Sequence, residues 1–503
     1  MLDKMLKRIL TARVYDLAIE TPLQTAPLIS RRLGNEVLVK REDMQPVFSF
    51  KLRGAANKMR CLSPEALARG VICASAGNHA QGVALSARHL KVRSVIVMPT
   101  TTPEIKVNSV RNHGAEVVLF GDTFDQACTH ALQLQKEHGL TFIHPYDDFD
   151  VIAGQGTIGM EIMRQTGPVD AIYLPVGGGG LAAGVAAYWK ALHPETKIIA
   201  VEAEDSACFK AAFDKGERVK LPEVGIFADG VAVALVGEHT WEILRHTVDE
   251  CITVSTDEIC ASIKDMFEDL RLISEPAGAV SLAGLKKHAA AKGWTGKKLV
   301  CISSGANVSF GRLRHISERT ELGAHREGLF AVTIPERPGS FLAFCNQLGG
   351  CNITEFNYRM NTQTAAHLFV GIELKRGPEE RHELLKRLES LGGPVLDLTD
   401  NEMAKLHIRY MVGGHCSDTR DERLFRVEFP ERPGALHKFI SRLGDQWNIS
   451  IFHYRNHAAA FGRVLLGIQC PDHRLADLKA CLDEVGYPWH DESGNPAYDI
   501  FLS

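Results

Sequence analysis

The chain has 503 residues, 45% of them hydrophobic and 23% charged, with a formal net charge of −4. That length is too great for one core and implies several domains of a water-soluble protein. A near-neutral balance without a long basic run argues against nucleic acid or an anionic membrane as the main partner.

The first segment, MLDKMLKRILTARV, lacks the apolar core and cleavage site of a signal peptide, and no apolar run is long enough to span a bilayer. Between about residues 35 and 310, β-rich apolar runs alternate with helical patterns. EVLVKRE, VICAS, SVIVMP, EVVLFG, TFIHP, AIYLPV, KIIAVEA and KLVCISS read as strands; AQGVALSARHL, FDQACTHALQLQKEHG and LAAGVAAYWKALHP read as helices. Continuous apolar strands separated by helices predict a mostly parallel sheet covered on both faces, with ligands at the strands' carboxyl ends. The twelve cysteines form no C-x-x-C pair, and several, such as Cys73 and Cys301, lie in strand-like runs. They read as core thiols of a reducing cytoplasm. HELLK at 382–386 lacks the second histidine of a zinc motif, and no metal is expected.

After about residue 325 the pattern changes. LFAVTIPERPGSFLAFCNQLGG…NITEFNYR is followed by LFRVEFPERPGALHKFISRLGD…NISIFHYR. P-E-R-P-G recurs at 335–339 and 430–434, an offset of 95, while Tyr358 and Tyr454 differ by 96. This is a duplicated module, each copy reading strand, helix, strand, strand, helix, strand. The expected division is 1–325, containing two α/β subdomains; 326–400, the first module; 401–423, a linker carrying GGH and DTRDER; and 424–503, the second module.

Four loop-to-helix junctions carry candidate chemistry. Lys51, in FSFKLRGA, is set among Phe48 and Phe50 at a helix start. Desolvation there favours the neutral amine, the form that attacks carbonyls; a solvated surface lysine is the alternative. In CASAGNHAQG, Ser75, Ala76, Gly77, Asn78 and His79 open a helix, with backbone N–H groups for a carboxylate and an amide for a ring oxygen. A plain helix cap reads equally well, and His79 also reads as a core histidine. Gly177, Gly178, Gly179 and Gly180 join a strand to a helix, a phosphate cradle in which N–H groups and the helix dipole converge. They match neither G-x-G-x-x-G nor a Walker loop, which disfavours NAD and ATP. Finally Ser303 and Ser304 precede Gly305, where a hydroxyl could meet a ring nitrogen or merely shape a turn. Glu275, in EPAGA, reads as a helix N-terminal charge, and AGQGTIGMEI as a packing loop.

In this order the buried lysine, SAGNHAQG, tetraglycine and SGAN motifs resemble the pyridoxal-phosphate enzymes of the tryptophan-synthase-β fold (fold type II), and within them the biosynthetic threonine dehydratases with two C-terminal ACT-like modules. The resemblance implies doubly wound parallel α/β sheets followed by an α+β regulatory part. It implies pyridoxal 5'-phosphate on Lys51, with Phe50, Asn78 at the ring oxygen, Gly177–Gly180 and Leu181 at the phosphate, and Ser304 at the ring nitrogen. Ser75, Ala76, Gly77 and His79 would surround the substrate carboxylate. It further implies elimination on L-threonine to 2-oxobutanoate and ammonia, weaker action on L-serine, a cytoplasmic homotetramer, inhibition by isoleucine and opposition by valine.

Tyr358, Tyr454, Asn352 and Asn448 are the effector candidates, and a plain dimerisation role is the alternative for the repeat. Serine racemases carry a serine where this chain has Ala76, and bind a cation through acids after a strand. Here Glu202 is kept, but Cys208 falls where a later acid would. A related β-replacement enzyme, a serine dehydratase or racemase, and a non-catalytic amino-acid sensor are the other readings. Against β-replacement stands the SAGNHAQG loop, where such relatives show a TSGNTG type.

Overall fold

Strands two to seven residues long, each followed by a helix, build two mostly parallel sheets in the first part of the chain. They are seen in a computed structural model that describes every residue except 103, 226, 361–363, 407, 412–420, 431–434, 444–445, 456–460 and 496–503. The chain divides into two compact units, Met1–Thr320 and Glu321–Ser503.

In the first unit, a six-stranded sheet has the order Leu23–Thr25, Glu36–Arg41, Lys298–Ser303, Ala171–Pro175, Lys197–Ala203, Glu250–Val254. All pairings are parallel except that of the edge strand Leu23–Thr25. Strand alternation explains the layering. Ile172 and Leu174 face one core, shared with Ile198, Val300 and the helix Gly180–Leu192, while Ala171 and Tyr173 face another, shared with Ile199, Cys301 and the helix Pro276–Lys292. A second sheet runs Glu116–Leu119, Ser94–Met98, Val71–Ala74, Thr141–Phe142, all parallel. Its faces are likewise divided, Cys73 and Ile96 toward the helix Asn78–Leu90 and Ile72 and Val97 toward Phe124–His138. All eight sequence-read strands form; Leu23–Thr25 and Glu250–Val254 were not anticipated.

In the second unit each copy folds as strand, helix, strand, strand, helix, strand. The two sets join into one eight-stranded antiparallel sheet through Ile353–Arg359 and Asn448–Arg455. The register there is pseudo-two-fold: Tyr358 opposes Phe452, Phe356 opposes Tyr454, and the equivalent residues Asn357 and His453 face each other at the axis. Within the stretch between the copies, the helix Glu402–Leu406 and the turn Ile408–Tyr410 pack on the first copy, and buried Arg409 pairs with Glu355 at 2.8 Å. The second copy's E-R-P-G at 431–434, the GGH of 413–415 and the start of DTRDER lie outside the described residues.

Candidate active site

Lys51 is the first residue of the helix Lys51–Arg60, placed there by Phe50, its N-cap. The chain arrives through Phe48, whose φ of 55° is left-handed, so the turn is strained for a side chain of that size. Phe48 takes no part in burying the amine: the residue is 57% exposed, contrary to the sequence expectation that both phenylalanines desolvate Lys51. The Phe50 ring does, with Nζ 5.2 Å from its centroid, and the helix Asn78–Leu90 closes on the lysine backbone, where a Cβ on Gly82 would lie 3.2 Å from the Lys51 carbonyl. Nζ donates to the Pro145 carbonyl at 2.9 Å. Burial pulls the amine down from 10.5 to about 8, with Glu275 opposing.

Two residues on, fully buried Arg53 anchors this helix. Its guanidinium bridges Glu42 (Nε–Oε2 2.7 Å) and Glu161 (Nη1–Oε1 2.5 Å), and Lys40 Nζ adds a second cation on Glu161 at 2.7 Å. The partners come from a strand end and a helix 108 positions away. No sequence spacing signals such a network.

The serine turn is clipped to the lysine segment. Phe50 N–H donates to the Ser304 carbonyl at 3.2 Å and Ala306 N–H to the Phe48 carbonyl at 2.9 Å. Ser304 Oγ donates to the Ala277 carbonyl at 3.3 Å, and the buried Ser303 Oγ meets no partner among the described residues. Asn78 donates to Glu275 Oε1 at 2.6 Å and accepts from Asn307 at 2.7 Å. Glu275, read from sequence as a helix-end charge, is in fact buried within the site, its carboxyl pushed up to about 7 by burial and then by Asp229. The sequence signal for it was its place immediately before the helix-opening Pro276, a signal that ordinary capping residues share.

The tetraglycine turn shows why side chains are excluded. A Cβ on Gly178 would lie 2.3 Å from the Tyr146 ring, one on Gly177 2.8 Å from the Val231 backbone, and Gly179 has φ 93° as N-cap of Gly180–Leu192. Among the described residues no protein acceptor meets the N–H groups of Gly178 to Leu181. The turn is held from behind: Thr240 Oγ1 donates to the Gly178 carbonyl at 2.7 Å, and Asp147 accepts from the N–H groups of Glu238 and His239 at 2.9 and 2.8 Å. Asp147 thereby ties the Pro145–Tyr146 loop, on which Lys51 rests, to the helix that steadies the glycines.

Around the asparagine loop, Ser75 Oγ accepts from Gly77 N–H at 3.2 Å, and no heavy atom would meet a Cβ on Gly77 within 4 Å. Ala76 and Gly77 stay partly accessible, whereas His79 is buried, its Nε2 on the Ile143 carbonyl at 2.8 Å. Burial, then Lys51, pushes this imidazole down to about 3, so it is neutral, and its Nδ1 has no partner among the described residues. Glu202 accepts from Phe209 and Lys210 N–H at 2.9 and 2.7 Å and so caps the helix Cys208–Lys215. Among the described residues no acid, histidine and cysteine cluster could hold a metal.

In the second unit, buried Tyr358 donates to Glu336, and both belong to the first copy. Glu336, Ser340 and Phe341 share a cleft with Leu443, Trp447 and Asn448 of the second copy. Asn448 lines it and donates to Gln469 at 2.8 Å, as its equivalent Asn352 donates to Glu373 at 2.9 Å. Tyr454 is buried at the module seam opposite Phe356.

The chain is similar to known proteins. A family model described as pyridoxal-phosphate dependent enzyme matches residues 14–305, and one described as the C-terminal regulatory domain of threonine dehydratase matches 318–408 and again 413–502. A biosynthetic L-threonine dehydratase of Burkholderia multivorans is 55% identical, covering 99% of both chains. The chain belongs to the biosynthetic threonine dehydratase family. Among solved structures, the processed form of threonine deaminase isoform 2 from Solanum lycopersicum is similar with TM-score 0.63 and 51% identity over 63% of this chain and 93% of that one. Maize serine racemase follows with TM-score 0.59 and 31% identity over 64% of this chain and 98% of that one. The fold is therefore fold type II, the protein is an enzyme of this dehydratase family, and its cofactor is pyridoxal phosphate. The residues present fit that group: a buried amine of lowered basicity, and a turn of N–H donors at a helix start without protein acceptors.

Proposed function

We propose that the protein is an ammonia-lyase that converts L-threonine to 2-oxobutanoate and ammonia, acts more weakly on L-serine, and opens isoleucine biosynthesis as a cytoplasmic homotetramer. The observation that carries this reading is the 55% identity to a biosynthetic dehydratase across catalytic and doubled regulatory parts alike. Pyridoxal phosphate, when bound, supplies an aldehyde that condenses with amines and an electron sink that acidifies the substrate Cα–H. Lys51 Nζ is the amine that would hold it, and, once displaced by substrate, the base that takes the Cα proton. Its lowered basicity keeps much of it neutral near pH 8.

The N–H groups of Gly178 to Leu181 would receive the phosphate, the Asn78 amide the ring oxygen, and Ser304 Oγ the ring nitrogen. A hydroxyl cannot hold a proton on that nitrogen as a carboxylate would, which favours elimination over transamination. The Ser75–Gly77 backbone at a helix start suits the substrate carboxylate. Neutral His79 adds no competing charge beside Lys51. Ala76 offers no proton on the second face of Cα, which disfavours racemisation.

The C-terminal copies are the regulatory part, and we assign the cleft at Glu336 to amino-acid effectors, isoleucine inhibiting and valine opposing. An acid and apolar walls suit an ammonium and an aliphatic side chain. The test is turnover: threonine should yield 2-oxo acid and ammonia in equal amounts, and added isoleucine should suppress it. Absence of inhibition at millimolar isoleucine would remove the regulatory part of the reading.

A further inference from the structure

We infer that Glu275 and Asn307 are positioning residues that lock the orientation of the Asn78 carboxamide, so that its second N–H is presented to the cofactor's ring oxygen. This rests on the reading that Asn78 faces that oxygen.

A primary amide can turn over at almost no steric cost, exchanging its donor and acceptor ends. In most places that freedom is harmless. Opposite an anionic ring oxygen it is not, because the flipped amide would offer a lone pair to negative charge. The structure removes the freedom from both sides. Asn307 Nδ2 donates to the Val47 carbonyl at 2.8 Å and to Asn78 Oδ1 at 2.7 Å. A backbone carbonyl only accepts, so it fixes which end of Asn307 is the donor, and Asn307 in turn fixes Asn78 Oδ1 as the acceptor. On the other side Glu275 Oε1 takes one N–H of Asn78 at 2.6 Å. One amide hydrogen remains unassigned.

Glu275 cannot drift from this task. It precedes the helix Pro276–Lys292, its own N–H donates to the Gly305 carbonyl at 3.2 Å, and a Cβ on Gly305 would lie 2.5 Å from Oε1 and 3.2 Å from Asn78 Nδ2. Gly305 thus brings the serine turn against the pair. Elements far apart in sequence, at Val47, Asn78, Glu275 and Asn307, converge on a single amide.

The test is titration of purified apoprotein with pyridoxal phosphate, read as affinity and as the position of the visible absorption band, with a melting temperature for each variant. Losing the acceptor in Glu275→Ala should weaken affinity about tenfold and shift the band. Asn307→Ala should act in the same direction, and serves if Glu275→Ala does not fold. Glu275→Gln, whose amide oxygen still accepts, should stay within about threefold of the parent. A folded Glu275→Ala with parental affinity and band would overturn the inference. So would Glu275→Gln as weak as Glu275→Ala. Parental binding by Asn78→Ala would instead overturn the underlying placement of Asn78, and the inference with it.

Discussion

Lys51 Nζ and the Pro145 carbonyl are joined by a hydrogen bond of 2.9 Å, so the buried amine rests on the loop that lays the Tyr146 ring against Gly178. Amine and glycine turn are thereby positioned by one segment, itself held by Asp147 on the helix Glu238–Thr247. This coupling makes the glycine turn sensitive to its neighbour.

Gly178→Ala should force the Tyr146 ring aside and move the loop under Lys51. Overpacking of this kind costs about 1–3 kcal/mol, and the loss should appear as weakened cofactor affinity. Adding Tyr146→Ala should recover much of it. Equal affinities for the single and double variants in a cofactor titration would show that the tyrosine does not set the turn.

Arg53→Leu should leave the Glu42 carboxylate buried without its cation and Glu161 with Lys40 alone. Removing one member of such a buried set costs about 3–5 kcal/mol. Urea unfolding of the apoprotein measures this, and a loss below about 1 kcal/mol would show the network to be dispensable.

Glu275 gives a pH signature. Its folded value, about 7, lies above the ordinary 4.5, so the folded state holds the proton more tightly than the unfolded one. The stability it contributes is complete below 4.5 and is lost as pH rises through 7. Glu275→Gln escapes that loss, so its stability relative to the parent should grow by on the order of 3 kcal/mol from pH 4.5 to pH 8. Lys51 runs the other way, its stability contribution present above 10.5 and lost as pH falls through 8, outside the diagnostic window. A pH-independent difference between the two apoproteins would contradict the burial of a titrating carboxyl.

Glu336→Gln should raise the isoleucine concentration for half-inhibition at least tenfold, about the worth of one charged hydrogen bond. An unchanged inhibition curve would move the effector site away from this cleft.

The parts of the fold carried by continuous local pattern were legible in the sequence. Runs such as AIYLPV and KLVCISS are buried on both faces and form strands, and the repeated strand–helix order of the tail reproduces itself in both copies. Glu250–Val254 escaped notice because ECITV mixes half-buried and buried positions at a sheet edge. In the site, glycines and the helix-start lysine were readable because turn chemistry is local. Glu275, Asn307 and the Arg53 network were not, because their meaning comes from partners between 11 and 260 positions away. Phe48 misled for the opposite reason: adjacency in sequence to Lys51 does not put its ring beside the amine, since its left-handed backbone turns it to solvent.

The proposed chemistry turns on Lys51 holding pyridoxal phosphate and taking the threonine Cα proton. The most direct measurement is conversion of L-threonine by the cofactor-loaded protein beside its Lys51→Ala variant, following 2-oxobutanoate and ammonia together. The parent should give the two products in equal amounts, and the variant a rate reduced by at least about a thousandfold. Parental turnover by Lys51→Ala, or no 2-oxobutanoate from the loaded parent, would contradict it.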